Sequence, residues 1–203
     1  MIETGRLRLR PWRAGDRAPF AALNADPEVM RFFPKPLGRA ESDAMVGRLE
    51  ARWASDGFGF AVAERRVDGA FLGMVGLARV QVALPGAPDG AIEAGWRLAR
   101  AHWGRGYATE AARAWLDWGF AELGPEEIVA FAVPANRASR AVMLRLGMRE
   151  DPARAFEHPK LAEGHPLRRH LLHAVARDAW AGRCPIRRGV GAGFALPRRR
   201  ASR

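Results

Sequence analysis

The residues best suited to chemistry stand together at Trp103-Gly104-Arg105-Gly106-Tyr107-Ala108-Thr109-Glu110, between a stretch of strand alternation and the strongest helical pattern in the chain. Glycines let a loop turn consecutive backbone N–H groups toward one point, and the free donors of a helix's first turn add to them. Such a junction attracts a pyrophosphate, with Arg105 adding charge at its rim. Three readings compete. A dinucleotide fingerprint needs a small residue where Thr109 stands, and it belongs in a first strand-helix unit with an acid about 20 residues on. A Walker loop needs Lys-Ser or Lys-Thr after its last glycine, and neither is present. A plain glycine-rich turn, with Gly106 serving only packing, accounts for Gly-x-Gly taken alone.

The elements that must position this loop follow from periodicity. Leu7 and Leu9 alternate with Arg6, Arg8 and Arg10, the pattern of a half-exposed strand that Pro11 ends. Apolar spacing predicts helices over 16–25 and 40–55; Asn24-Ala25-Asp26-Pro27 breaks the first and Asp56-Gly57 closes the second. Runs at 58–65 and 70–80, joined through Val67-Asp68-Gly69, read as a hairpin. A strand over 91–98 then carries Glu93, Gly95 and Arg97 on one face and Ile92, Ala94, Trp96 and Leu98 on the other. Gly95 in its middle suggests a bulge or the close approach of a ligand. Ala112, Trp115, Leu116 and Phe120 form the stripe of a helix over 108–123, stopped by Gly124-Pro125. A strand over 127–133, a helix over 136–146 and a last strand over 170–176 complete an α/β (α+β) order with one mixed sheet.

The loop and its surroundings resemble the Gcn5-related N-acetyltransferases (GNAT), whose acetyl-CoA loop reads Arg/Gln-x-x-Gly-x-Gly/Ala. The aligned residues are Trp103, Gly106 and Ala108. Trp103 replaces the usual Arg or Gln, and Trp-Gly-x-Gly-Tyr-Ala-Thr-Glu-Ala is similar to the RimJ/RimL-like branch, the ribosomal-protein N-terminal acetyltransferase type. The likeness continues through the segment from Asn136 and Ser139 to Leu146-Gly147-Met148, the opening Thr4-Gly-Arg-Leu-Arg-Leu-Arg-Pro11, and Gly73-Met74-Val75-Gly76. Four motifs in family order thus span about residues 1–177. The resemblance implies one domain over 1–180, its mostly antiparallel sheet splayed between the strands at 91–98 and 127–133 and flanked by helices. The gap would admit the pantetheine arm of acetyl-CoA. Backbone groups near Trp96 and Leu98 would hold the arm, and the Leu98 amide would polarise the thioester carbonyl. Trp103, Gly104, Arg105, Gly106, Tyr107, Ala108 and Thr109 would bind the cofactor, and Asn136 would contact it, cap its helix, or do both.

Direct transfer to an amine needs a neutral amine, an oxyanion site and a proton for the leaving thiolate. A lysine amine of pKa ~10.4 costs about 4.6 kcal/mol to deprotonate at pH 7, an α-amine near ~7.8 only about 1.1 kcal/mol. By the resemblance, Glu93 is the base, close to where histone-acetylating relatives carry a glutamate. The same position suits a strand-end carboxylate paired with an arginine. The chain's single tyrosine, Tyr107, lies in the loop, so the family's usual tyrosine acid is missing and Ser139 takes its place; Ser139 equally suits a first-turn helix residue bonded to backbone. The resemblance leaves the acceptor as a protein N-terminus or a small-molecule amine. The missing tyrosine also keeps a noncatalytic acyl-CoA sensor open as the alternative.

Composition bounds the rest. The chain has 203 residues and a formal net charge of +11, but residues 181–203 hold seven arginines and no acid. Residues 1–180 keep 26 basic and 22 acidic side chains, a net of +4, too mild for a nucleic-acid stripe. The basic tail is expected to be a solvated, disordered extension able at most to bind RNA or acidic surfaces nonspecifically. One cysteine, Cys184, offers neither a disulfide nor a thiolate cluster. His158, His165 and His170 sit near Glu157 and Glu163 without metal-ligand spacing, so the expectation is no metal. No stretch has the length of a signal h-region or membrane span. The expected protein is cytoplasmic, a monomer or homodimer.

Overall fold

The computed structural model describes residues 1–88 and 90–182. The arginine-rich segment expected to form a solvated tail lies, from 183 on, outside the described residues. A hairpin of β1 (Ile2–Glu3) and β2 (Leu7–Arg10) opens the chain, with Leu7 and Leu9 buried as the alternation predicts. Helices α1 (Arg17–Ala25), α2 (Pro27–Met30) and α3 (Arg39–Asp56) follow, and α3 stops at Gly57, whose φ of 79° gives a left-handed cap. Then come β3 (Phe60–Arg65), β4 (Phe71–Arg79), β5 (Ile92–Leu98), α4 (Tyr107–Trp118), β6 (Glu127–Ala132), α5 (Arg137–Arg145), β7 (Arg149–Glu157), β8 (Arg169–Ala176) and α6 (Arg177–Ala181).

Among the described residues these strands form one eight-stranded sheet in the order β1-β2-β3-β4-β5-β6-β8-β7. Every neighbouring pair is antiparallel except β5 and β6, which run parallel. The sheet sits between two helical layers because strand residues alternate between two cores. Leu77, Ala94, Ile128 and Ala130 pack with Ala111, Trp115 and Leu116 of α4 and Met143 of α5. Val62 and Met74, on the opposite face, pack with Phe20 and Leu23 of α1 and Val46 and Leu49 of α3.

The architecture agrees with the expected mixed α/β domain, and the differences have local causes. Asp26-Pro27, a breaker by its sequence, also starts α2: Asp26 Oδ1 accepts the Glu28 N–H at 2.8 Å and Pro27 takes the first helical position, where a missing N–H costs nothing. The helix expected to reach residue 123 is α-helical to Trp118 and finishes as a π-helical turn, Gly119–Leu123. Strand β7 carries Pro152, which argues against a strand; its register on β8 slips between Asp151 and Phe156, and the irregularity takes up the proline. No bulge occurs at Gly95, where β4 and β5 stay in register throughout. Its missing side chain makes room for protein instead, since a Cβ there would lie 2.8 Å from the Phe60 ring.

Candidate active site

Strands β5 and β6 pair only at Ile92 with Ile128 and Glu93 with Val129. Beyond that point β5 stays on β4 and β6 stays on β8, so the two part toward their C-terminal ends. The Val80 N–H bonds to the Ala91 carbonyl and the Ala99 N–H to the Leu72 carbonyl, each at 2.8 Å. With the register unbroken, odd-numbered residues of β5 turn their backbone groups toward β4, and Trp96 and Leu98 turn theirs into the gap. The Leu98 carbonyl is already engaged, accepting the Trp103 indole N–H at 2.8 Å. Its N–H remains for a ligand.

The gap opens into a cleft of about 550 Å³. Trp96, Leu98, Trp103, Gly104, Gly106, Tyr107, Ala108, Thr109, Asn136 and Ser139 all line it. The structure therefore gathers every site residue named from the sequence except Arg105 and Glu93. Gly104 and Gly106 take φ of 72° and 78°, a region that favours glycine. Among the described residues the N–H groups from Arg105 to Thr109 make no hydrogen bond within the chain, and the first helical bond runs from the Glu110 N–H to the Gly106 carbonyl at 3.0 Å. Consecutive unpaired donors at the start of a twelve-residue helix suit a diphosphate.

A brace that sequence reasoning missed holds this loop. Glu110 accepts the Thr4 hydroxyl at 2.5 Å, the Arg6 backbone N–H at 2.9 Å and Arg6 Nε at 2.6 Å. Arg6 Nη1 also donates to the Arg105 carbonyl at 3.0 Å, and its guanidinium carbon lies 4.6 Å from the Tyr107 ring centre. Thr4, Arg6 and Glu110 are visible as parts of two motifs, but nothing local links them. Arg105 itself is exposed and lies outside the cleft lining.

A model of the acetyltransferase (GNAT) domain family matches residues 6–149. The chain belongs to this family. YkkB of Bacillus subtilis, an uncharacterized protein, is 35% identical over 148 residues, covering 72% of this chain and 84% of that one. FsC-acetyl coenzyme A-N(2)-transacetylase of Aspergillus fumigatus is 32% identical over 188 residues, covering 88% and 77%. The structure of Mycobacterium smegmatis RimJ in complex with CoA-disulfide superposes with a TM-score of 0.63 at 24% identity over 88% of this chain and 94% of that one, a likeness of fold. This GNAT domain is accordingly an acetyl-CoA-dependent acyltransferase acting on an amine acceptor.

The cap, acid and base candidates named from the sequence stand in different surroundings. Asn136 caps α5, its Oδ1 accepting the Ser139 N–H at 3.1 Å, while the Ser139 hydroxyl makes no hydrogen bond among the described residues and is left to the cleft. Glu93 lies at the closed end of the splay, and the Phe60 ring over Gly95 stands between it and Arg97 on the same face. Burial pushes its carboxyl up to about 7, against the opposing pull of Arg52 and Lys160. The ring of Tyr107 is buried, with the Arg6 guanidinium over its face.

No sequence pattern marks the cleft's other wall. It comprises Glu28, Val29, Arg31, Phe32 and Phe33 of α2 and the following loop, together with Arg97 and His102. Arg31 lies over both the Phe32 and Trp103 rings, at 4.9 and 5.5 Å, tying this wall to the loop. Burial, then Arg65 and Arg105, hold His102 below its ordinary value, so its ring is neutral at pH 7. The three distal histidines serve other ends. His158 and His165 anchor turns, and His170 stacks on Phe156 at 5.4 Å. Among the described residues no group of three or more acidic, histidine or cysteine side chains is placed to hold a metal, and no helix is long and apolar enough to cross a membrane.

Proposed function

We propose that this GNAT domain transfers acetyl directly from acetyl-CoA to a primary amine, a protein N-terminus or a small molecule, as a RimJ/RimL-like enzyme. The observation supporting this reading is the β5–β6 gap meeting five unpaired backbone donors at residues 105–109, with a free serine hydroxyl on the same cleft. The diphosphate rests on those donors and the arm bonds to the inward-turned groups of Trp96 and Leu98. The Leu98 N–H polarises the thioester carbonyl. The neutral amine attacks that carbon, the new C–N bond forms, the C–S bond breaks, and the departing thiolate takes a proton from Ser139 as the serine takes one from solvent water. The amine's proton passes to Glu93 through water, since Glu93 lies outside the cleft lining. A carboxyl with a pKa near 7 is well matched to that exchange at neutral pH. The protein works as a monomer or homodimer in the cytoplasm.

Calorimetry with acetyl-CoA and CoA tests the first half, and thiol release from acetyl-CoA with a panel of peptides and small amines tests the second. Binding in the micromolar range and amine-dependent thiol release are expected. Absence of binding removes the reading; binding without release by any amine leaves only an acyl-CoA sensor.

A further inference from the structure

Among the described residues two arginines are buried, and the fold treats them differently. Arg10, 5% exposed, donates to both oxygens of Asp16 at 2.7 and 2.8 Å and to Glu64 at 2.6 Å. Arg97, 8% exposed, meets no carboxylate within ion-pair distance among the described residues. Its Nη1 donates to Asn24 Oδ1 at 2.6 Å and lies 3.9 Å from Met45 Sδ, and the guanidinium carbon sits 4.0 Å from the Phe33 ring centre. Its buried Nε has no partner. A buried cation without an anion costs several kcal/mol, and a buried donor left unbonded adds to that. Burial pulls Arg97 down to about 10, which still leaves it charged at neutral pH.

Arg97 lines the cleft, so an entering ligand can supply the missing anion. Acetyl-CoA is poorly placed to do so. Its phosphates belong at residues 105–109, on the α4 side of the sheet, and its arm is uncharged. The Arg97 side chain points to the opposite face, toward α1 and α3, where Asn24 and Met45 meet it. A guanidinium edge with a free Nε–H matches the two oxygens of a planar carboxylate.

We propose that Arg97 anchors a carboxylate on the acceptor, making the substrate a small amino acid or similar amino-carboxylic acid rather than a peptide N-terminus. Asn24 fixes the guanidinium and Phe33, 37% exposed, covers it at the rim. This rests on the acetyl-transfer reading above.

The test uses the full chain saturated with CoA and measures calorimetric affinity for glycine, L-methionine and L-phenylalanine, each against its carboxamide, with 2-aminoethylphosphonate as a further arm. At least one acid should bind tenfold or more tighter than its amide. Arg97→Gln should abolish that difference, and Arg97→Lys should restore part of it, while CoA affinity stays the same in both. Acids and amides binding equally or not at all, a preference that survives Arg97→Gln, or tighter binding of the phosphonate overturns the proposal. Should Arg97→Gln not fold, the Arg97 Nε–H resonance of the wild type decides: it should move on adding the acid and stay fixed on adding the amide, and a resonance that no acid moves is equally fatal. That readout needs no CoA, whereas failure of the acetyl-transfer reading shows as absent CoA binding.

Discussion

The two walls of the cleft are made by different means. The loop wall is one continuous segment, residues 103–109, whose functional groups are backbone N–H groups aimed by two glycines of positive φ. The facing wall is assembled from Glu28, Val29, Arg31, Phe32, Phe33, Arg97 and His102, contributed by α2 and the loop after it, by β5 and by a 3₁₀ turn, with Asn24 and Met45 meeting Arg97 from α1 and α3. On the proposed reading, backbone donors recognise what every reaction shares, the cofactor's diphosphate, and they tolerate side-chain change wherever φ is negative. On the same reading, assembled side chains recognise what distinguishes one acceptor from another, and a single exchange redirects them. The difference then teaches that within one cleft the common substrate is read by local geometry and the particular one by tertiary packing.

That contrast can be broken or sharpened by mutation. The largest effect is expected from Glu93→Gln, which should lower kcat by about 10²- to 10⁴-fold without changing acetyl-CoA affinity. In the wild type, kcat should rise with pH through a midpoint of about 7, as the carboxyl loses its proton, and the variant should lack that limb. The stability sign follows from the same shift. The folded carboxyl holds its proton more tightly than the unfolded one at 4.5, so wild-type stability should fall as pH rises from about 4.5 through 7, and the glutamine variant should not show this loss in thermal melts. Gly106→Val should weaken acetyl-CoA binding about 100-fold, because a β-branched residue at a φ of 78° costs about 1–3 kcal/mol and misaims the donors; unchanged calorimetric affinity would refute a backbone-built wall. Ser139→Ala should reduce kcat about tenfold or more with KM for acetyl-CoA intact. The smallest effect is expected from Glu110→Gln, which loosens the brace to Arg6. A loss of about 1 kcal/mol should appear as roughly fivefold weaker acetyl-CoA binding.

One wall is legible in the sequence and the other is hidden there, for the same reason. Glycine spacing, helix start and strand alternation are local signals, so Trp96, Leu98, residues 103–109 and the Asn136–Ser139 pair can be placed from the order of residues alone. Arg97 shows in that order only as one face of an alternating strand; a charge at a position flanked by buried neighbours is the available clue, and the absence of its counter-ion exists only in three dimensions. Gly95 reads as room for a ligand because sequence cannot show the Phe60 ring arriving from the adjoining hairpin. Strand β7 is hidden by Pro152, whose accommodation depends on a register slip against β8. His102 carries no pattern at all, and its place in the cleft comes from the short 3₁₀ turn Arg100–His102.

The contact between Arg6 and Glu110 spans 104 residues. As the chain leaves the ribosome, the turn that carries Thr4 and Arg6 must wait for those 104 residues to appear before it can steady the loop at 103–109. A nascent chain halted short of Glu110 has its early strands without the brace, so on the proposed reading cofactor capture follows the making of α4.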